Sequence, residues 1–150
     1  MNPVVIIPTF VSSRKRHSGG SILAVYDHAT PLTQPGELPR CLESLRKVRG
    51  LGQIIVLVVS EPGIENQAAE KVERIAAQFP ELSAAVIGAS ESSLVQQRME
   101  QLGMGRLTRE IGLNGYAATR NLGLVLANIL GFDSVVFLDD DAVIEDEDFL

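Results

Sequence analysis

Apolar positions along the chain follow two alternating patterns. Continuous runs at 3–8 (PVVIIP) and 53–59 (QIIVLVV) are short and β-branched, as strands buried on both faces should be. Pro8 is read as the end of the first strand, which puts Thr9 and Phe10 at its carboxyl exit. Helical spacing then takes over. Residues 38–49 place Leu38, Leu42, Leu45 and Val48 on one face, with Pro39 in the first turn and Gly50 beyond the end. Residues 64–79 repeat the pattern through Ile64, Ala68, Val72, Ile75 and Phe79, and Pro80 stops them. A third strand is predicted over 82–87. A further helix over 90–103 starts from Ser90 as its cap and buries Leu94, Val95, Met99 and Leu102. Residues 104–113 continue as helix or loop.

The last quarter shows the alternation most sharply. Asn114 is read as the cap of a helix whose buried face carries Ala118, Leu122, Val125 and Ile129, with Gly131 at its carboxyl end. A strand at 134–138 (SVVFL) follows, and Asp139, Asp140 and Asp141 emerge from it. Strands alternating with helices imply βαβ units with right-handed crossovers. The fold class is therefore α/β and Rossmann-like, a mostly parallel sheet flanked by helices. Two stretches interrupt the rhythm. Residues 11–37 read as a long loop with a basic cluster (Arg14, Lys15, Arg16, His17) taken as solvated. Residues 88–113 read as a second insertion. His17 and His28 lack a partner at metal-ligating spacing.

The aspartate triplet changes the picture most. Three adjacent carboxylates repel one another unless a cation or several donors offset the charge. In open α/β sheets the carboxyl ends of strands are where ligands bind. Hard oxygen ligands at a strand end suit Mg²⁺ or Mn²⁺, which bind through one or two carboxylates plus substrate phosphates. The bland alternative is a solvated acidic turn, and the helix and strand in front of the triplet weigh against it.

NGYAATRNLGL followed by VVFLDDD resembles the central signature of the family 2 glycosyltransferases, which have the GT-A fold. That family carries an A-x-x-R-N-x-G-L helix and then a strand ending in D-x-D. The opening VVIIPTF is similar to its first strand. The resemblance implies a nucleotide-diphosphate sugar donor, an acceptor hydroxyl and a divalent metal. It implies that Asp141 ligates the metal, that Asp139 meets the ribose or reaches the metal through water, and that Asp140 fills the variable position. It implies nucleotide contacts from Pro8, Thr9, Phe10, Arg120, Asn121, Asp139 and Asp140, with Glu61 in place of the usual acidic pair after the second strand. Arg120 is read equally as a base or diphosphate contact and as an ion pair holding the aspartate loop. Gly123 permits close approach of helix and strand. The family's general base lies in a later motif that nothing in 1–150 matches, so the chain reads as the amino-terminal portion of a larger catalytic domain.

Composition narrows the classes. A chain of 150 residues, 45% apolar, suits one modest globular domain. The net charge of −6 argues against general nucleic-acid affinity, and seven of the 19 acidic residues lie in 139–150. A lone cysteine, Cys41, excludes an internal disulfide and reads as a packed helix residue. No signal segment and no bilayer-length apolar run is present, so a soluble cytoplasmic protein is expected, and a homo-oligomer is possible. Competing motifs fail. A sugar-phosphate nucleotidyltransferase needs a G-x-G-x-R loop after the first strand. A dinucleotide-binding pattern beginning at Gly103 and Gly105 breaks at Thr108. An EF-hand starting at Asp139 lacks the glycine at its sixth position, which is Ile144. A non-catalytic GT-A-like nucleotide-binding or interaction domain is the remaining alternative.

Overall fold

The computed structural model describes residues 2–13 and 29–150. The basic cluster at 14–17 and His28 lie outside the described residues. Five strands are seen among them: β1 (Pro3–Ser12), β2 (Thr30–Pro31), β3 (Gln53–Ser60), β4 (Ala84–Ile87) and β5 (Ser134–Phe137). The helices are α1 (Leu38–Leu45), α2 (Glu65–Ala76), α3 (Ala89–Gln101) and α4 (Tyr116–Ile129). Every strand pairing is parallel. β3 runs beside β1 from Val4 to Val11, and β4 lies beyond β3. The opposite side of β1 is shared. β5 pairs with residues 3–6 and β2 with residues 11–12.

Strand alternation divides the core into two layers. Val5, Ile7 and Val11 of β1, with Ile54, Val56 and Val58 of β3, pack against α1 and α2. Val4 and Ile6, with Ile55 and Leu57, pack against Met99 of α3 and Leu122 and Leu126 of α4. The α/β class and the mostly parallel, helix-flanked sheet are thus as expected from the sequence.

Several boundaries differ, each for a physical reason. β1 does not stop at Pro8 but runs on to Ser12, so Thr9 and Phe10 are buried strand residues. The carbonyls of Ile6 and Ser12 accept from Leu138 and Leu32, so even-numbered residues of β1 turn their backbone groups toward the β5 and β2 side. Pro8 falls between those two short strands, where a missing N–H breaks no ladder bond. Val11 and Ser12, and Thr30 and Pro31, are accordingly strand rather than loop. α3 starts from Gly88, not Ser90, with the Glu91 side chain accepting from the Gly88 N–H at 2.9 Å. Its sheet-facing stripe runs through Ser92, Val95 and Met99, which leaves Leu94 and Leu102 exposed. Asn114 does not cap α4, whose first flanking residue is Gly115. α4 buries Thr119, Leu122, Gly123, Leu126 and Ala127, and Ile129 lies off that stripe in solvent. A Cβ on Gly123 would stand 3.1 Å from both Ile6 Cδ1 and Phe137 Cε1, so the expected close approach is real. The Phe132 N–H donates to Ala127 and that of Gly131 to Asn128, closing α4 at the expected glycine.

The segment after β5 folds back over α1. Ala142, Ile144 and Leu150 pack on the α1–α2 layer. The Ile144 N–H donates to Ser44 Oγ at 3.0 Å, and the Arg49 N–H donates to the Glu147 carbonyl at 2.7 Å.

Candidate functional site

Apart from the two-residue β2, chain order runs outward from β1 to β3 and β4, then returns through α4 to β5 on the other side of β1. The carboxyl ends of β1 and β5 flank that reversal, the position where α/β sheets open a crevice. The Leu138 N–H donates to the Ile6 carbonyl at 3.0 Å, one rung beyond β5, and the chain then leaves the ladder. A turn closes over 139–142, with the Ala142 N–H donating to the Asp139 carbonyl at 3.0 Å. Thr9, buried in β1, donates its hydroxyl to Asp140 Oδ2 at 2.5 Å. Asp140 is half-buried, whereas Asp139 and Asp141 are exposed. The middle aspartate anchors the turn, and the outer two face solvent.

Arg120 stands in the first turns of α4 beside this turn. Its guanidinium lies 3.9 Å from the Tyr116 ring centroid and 5.4 Å from that of Phe137. Arg120 Nη2 is 3.6 Å from Asp139 Oδ1, an ion pair too long for a hydrogen bond. The Asp139 side chain is 71% exposed, so solvent weakens this pair. Held mainly by the rings, Arg120 presents a fixed cation at the rim.

The remaining predicted residues divide. Glu61, at the exit of β3, accepts from the Ser13 backbone N–H at 3.1 Å and from Ser13 Oγ at 2.6 Å, tying the ends of β1 and β3 together. Phe10 is packed inside the sheet. Asn121 commits its amide nitrogen to the Glu110 carbonyl at 2.9 Å, which pins the loop before α4. The structure thus brings Pro8, Thr9, Arg120 and the three aspartates to one end of the sheet. Glu61 stands at the same end, one strand over.

Two buried residues escaped the sequence reading as contributors here. Cys41 Sγ sits 3.8 Å from the Asp139 carbonyl, beneath the turn. Burial, and secondarily the charges of Asp140 and Asp141, push its thiol up to about 12. Lys71 is buried in α2, and its Nζ donates to the Pro31 carbonyl at 2.7 Å and to the Gln34 carbonyl. Burial lowers its pKa from the usual lysine value. Its position between Ala68 and Ile75 on the core stripe was the available signal.

Among the described residues no three His, Cys, Asp or Glu side chains gather as a metal-holding group. Asp139 and Asp141 are the exposed carboxylates of the turn. No helix among the described residues is long and apolar enough to cross a membrane. No protein-family model, no curated protein and no solved structure matches the chain. Fold and site together define an α/β protein with a parallel, helix-flanked sheet and an acidic turn at its point of chain reversal.

Proposed function

We propose that the chain is the donor-binding portion of a GT-A-type glycosyltransferase. It binds a nucleotide-diphosphate sugar with Mn²⁺ or Mg²⁺, for transfer of the sugar to an acceptor hydroxyl. The observation that carries this reading is the acidic turn at the ends of β1 and β5, anchored by Thr9 on Asp140 and flanked by the ring-held cation of Arg120. Asp141 and Asp139 would hold the metal, which supplies charge neutralisation for the departing nucleoside diphosphate. Arg120 offers a positive group to the same phosphates without the entropy cost of ordering a free side chain. Thr9 keeps Asp140 turned inward, which fixes the backbone that aims its two neighbours. No residue in 1–150 is assigned as the base that deprotonates the acceptor.

Calorimetric titration of the chain with UDP, GDP and CDP, with and without Mn²⁺, tests this reading. The expected outcome is metal-dependent binding of one nucleotide, weakened about tenfold or more by Asp141→Ala, or about 1.4 kcal/mol. A folded chain that binds none of them, or binds equally well without metal, overturns it.

A further inference from the structure

A cavity of about 290 Å³ opens at the carboxyl end of β3, lined by residues from β3, α3, the start of α2 and the loop before α4. It lies on the β3 side of β1, whereas the aspartate turn follows β5 on the other side. Its polar wall includes Ser60, Glu65, Ser92, Gln96 and Asn114.

Three of these groups bring hydrogen-bonding capacity to the wall. Ser92 is 5% exposed, and its hydroxyl has no hydrogen-bond partner among the described residues. Gln96 donates its amide nitrogen to the Ile111 carbonyl at 2.8 Å and the Thr108 carbonyl at 3.4 Å, which leaves its side-chain oxygen as an acceptor. Asn114 precedes Gly115, the residue that flanks α4, and does not cap the helix. The backbone around it is unusual as well. Gly112 has φ 152° and Gly115 φ 112°, both in the region L side chains rarely adopt. A Cβ on Gly112 would stand 2.8 Å from Asn114 Oδ1 and 3.2 Å from Gln96 Nε2. The glycine lets the two amides converge on one wall.

A buried hydroxyl without a partner costs about 1–3 kcal/mol and persists where something outside the fold satisfies it. The cavity is far larger than one water needs. The chemistry of the wall selects the occupant. Hydroxyls and amides both donate and accept. Among the described residues, no Lys or Arg lines the cavity to hold a phosphate, and no aromatic ring lines it to stack a base. Glu65, whose carboxylate accepts from the Gly63 N–H at 2.9 Å, adds a further acceptor. We infer that this cavity binds a small, neutral, polyhydroxylated molecule of the sugar or polyol class, at a site separate from the aspartate turn. The site needs neither metal nor nucleotide, so the inference does not rest on the proposed function.

Amide chemical shifts followed during titration with D-glucose and with myo-inositol, without metal or nucleotide, test it. Ethylammonium chloride and inorganic phosphate serve as charged controls. Saturable shifts at Ser92, Gln96 and Asn114 are expected with at least one neutral probe at millimolar affinity, about −4 kcal/mol. Asn114→Ala, at an exposed position, should weaken that binding about tenfold. Ligand-free Ser92→Ala should melt no lower than the wild type, because the hydroxyl it removes has no hydrogen-bond partner among the described residues. The inference is overturned if neither neutral probe saturates below about 100 mM, if only a charged control binds, or if Asn114→Ala binds as the wild type does.

Discussion

Asp139, Asp140 and Asp141 are chemically identical, and the backbone gives them different work. Successive residues at a strand exit point to different sides, so one meets Thr9 while its neighbours meet water. Cys41 beneath them offers a pH test of this packing. Its thiol has an ordinary value of 9.0 and is held near 12 in the fold. Below the first value folded and unfolded chains both keep the proton. Between the two, only the unfolded chain releases it, so the unfolded state gains and stability falls as pH rises. Denaturant melts across this window should show a loss of up to about 4 kcal/mol in the wild type. Cys41→Ala should have a flatter profile, and an equal slope in both would refute the buried, protonated thiol.

At the scale of elements, the contact between α4 and the sheet depends on one missing side chain. Gly123→Ala forces a methyl against Ile6 and Phe137, which both lie about 3.1 Å from it. Overpacking of this kind costs about 1–3 kcal/mol, and it should exceed the small gain in helix propensity. Urea denaturation measures it, and an unchanged midpoint would mean that α4 moves freely. The Lys71 contact joins α2 to the loop between β2 and α1. Lys71→Ala leaves the Pro31 and Gln34 carbonyls without this donor, at a cost of about 1–3 kcal/mol. Hydrogen exchange should then quicken around residues 31–36. Lys71→Met, which keeps the apolar stem, should recover part of the stability but none of the protection.

For the whole molecule, the seven acidic residues of 139–150 concentrate negative charge at one end of the chain. Arg49 pairs with Glu147 and Asp148 at 3.1 and 3.2 Å, but these exposed pairs contribute little to stability. Beside the triplet, Arg120 Nη2 lies 3.6 Å from Asp139 Oδ1. A divalent ion bound there stabilises the folded state alone. At about 100 times its dissociation constant the gain is about 2.7 kcal/mol. The melting temperature should therefore rise with Mn²⁺ in the wild type and not in Asp141→Ala. An equal rise in both would place the ion elsewhere.

Sequence periodicity determined the order of β1, β3, β4, β5 and the four helices, the parallel class, and the core faces of α1 and α2, while β2 lay inside a stretch read as loop. It also located the acidic turn at the end of β5, because runs such as QIIVLVV and SVVFL are local signals. Tertiary structure decided whatever depends on a neighbour distant in the chain. Pro8 lies inside a strand because β5 and β2 leave a gap beside it. Leu94 and Ile129 are exposed because the small residues Ser92, Gly123 and Ala127, which an apolar count passes over, are the ones that meet the sheet. Asp140, not its neighbours, turns inward because Thr9 stands one strand away, 131 residues earlier in the chain. Spacing along a sequence specifies which face a residue shares. Which hydrogen-bond partner waits on that face is settled only when the strands come side by side.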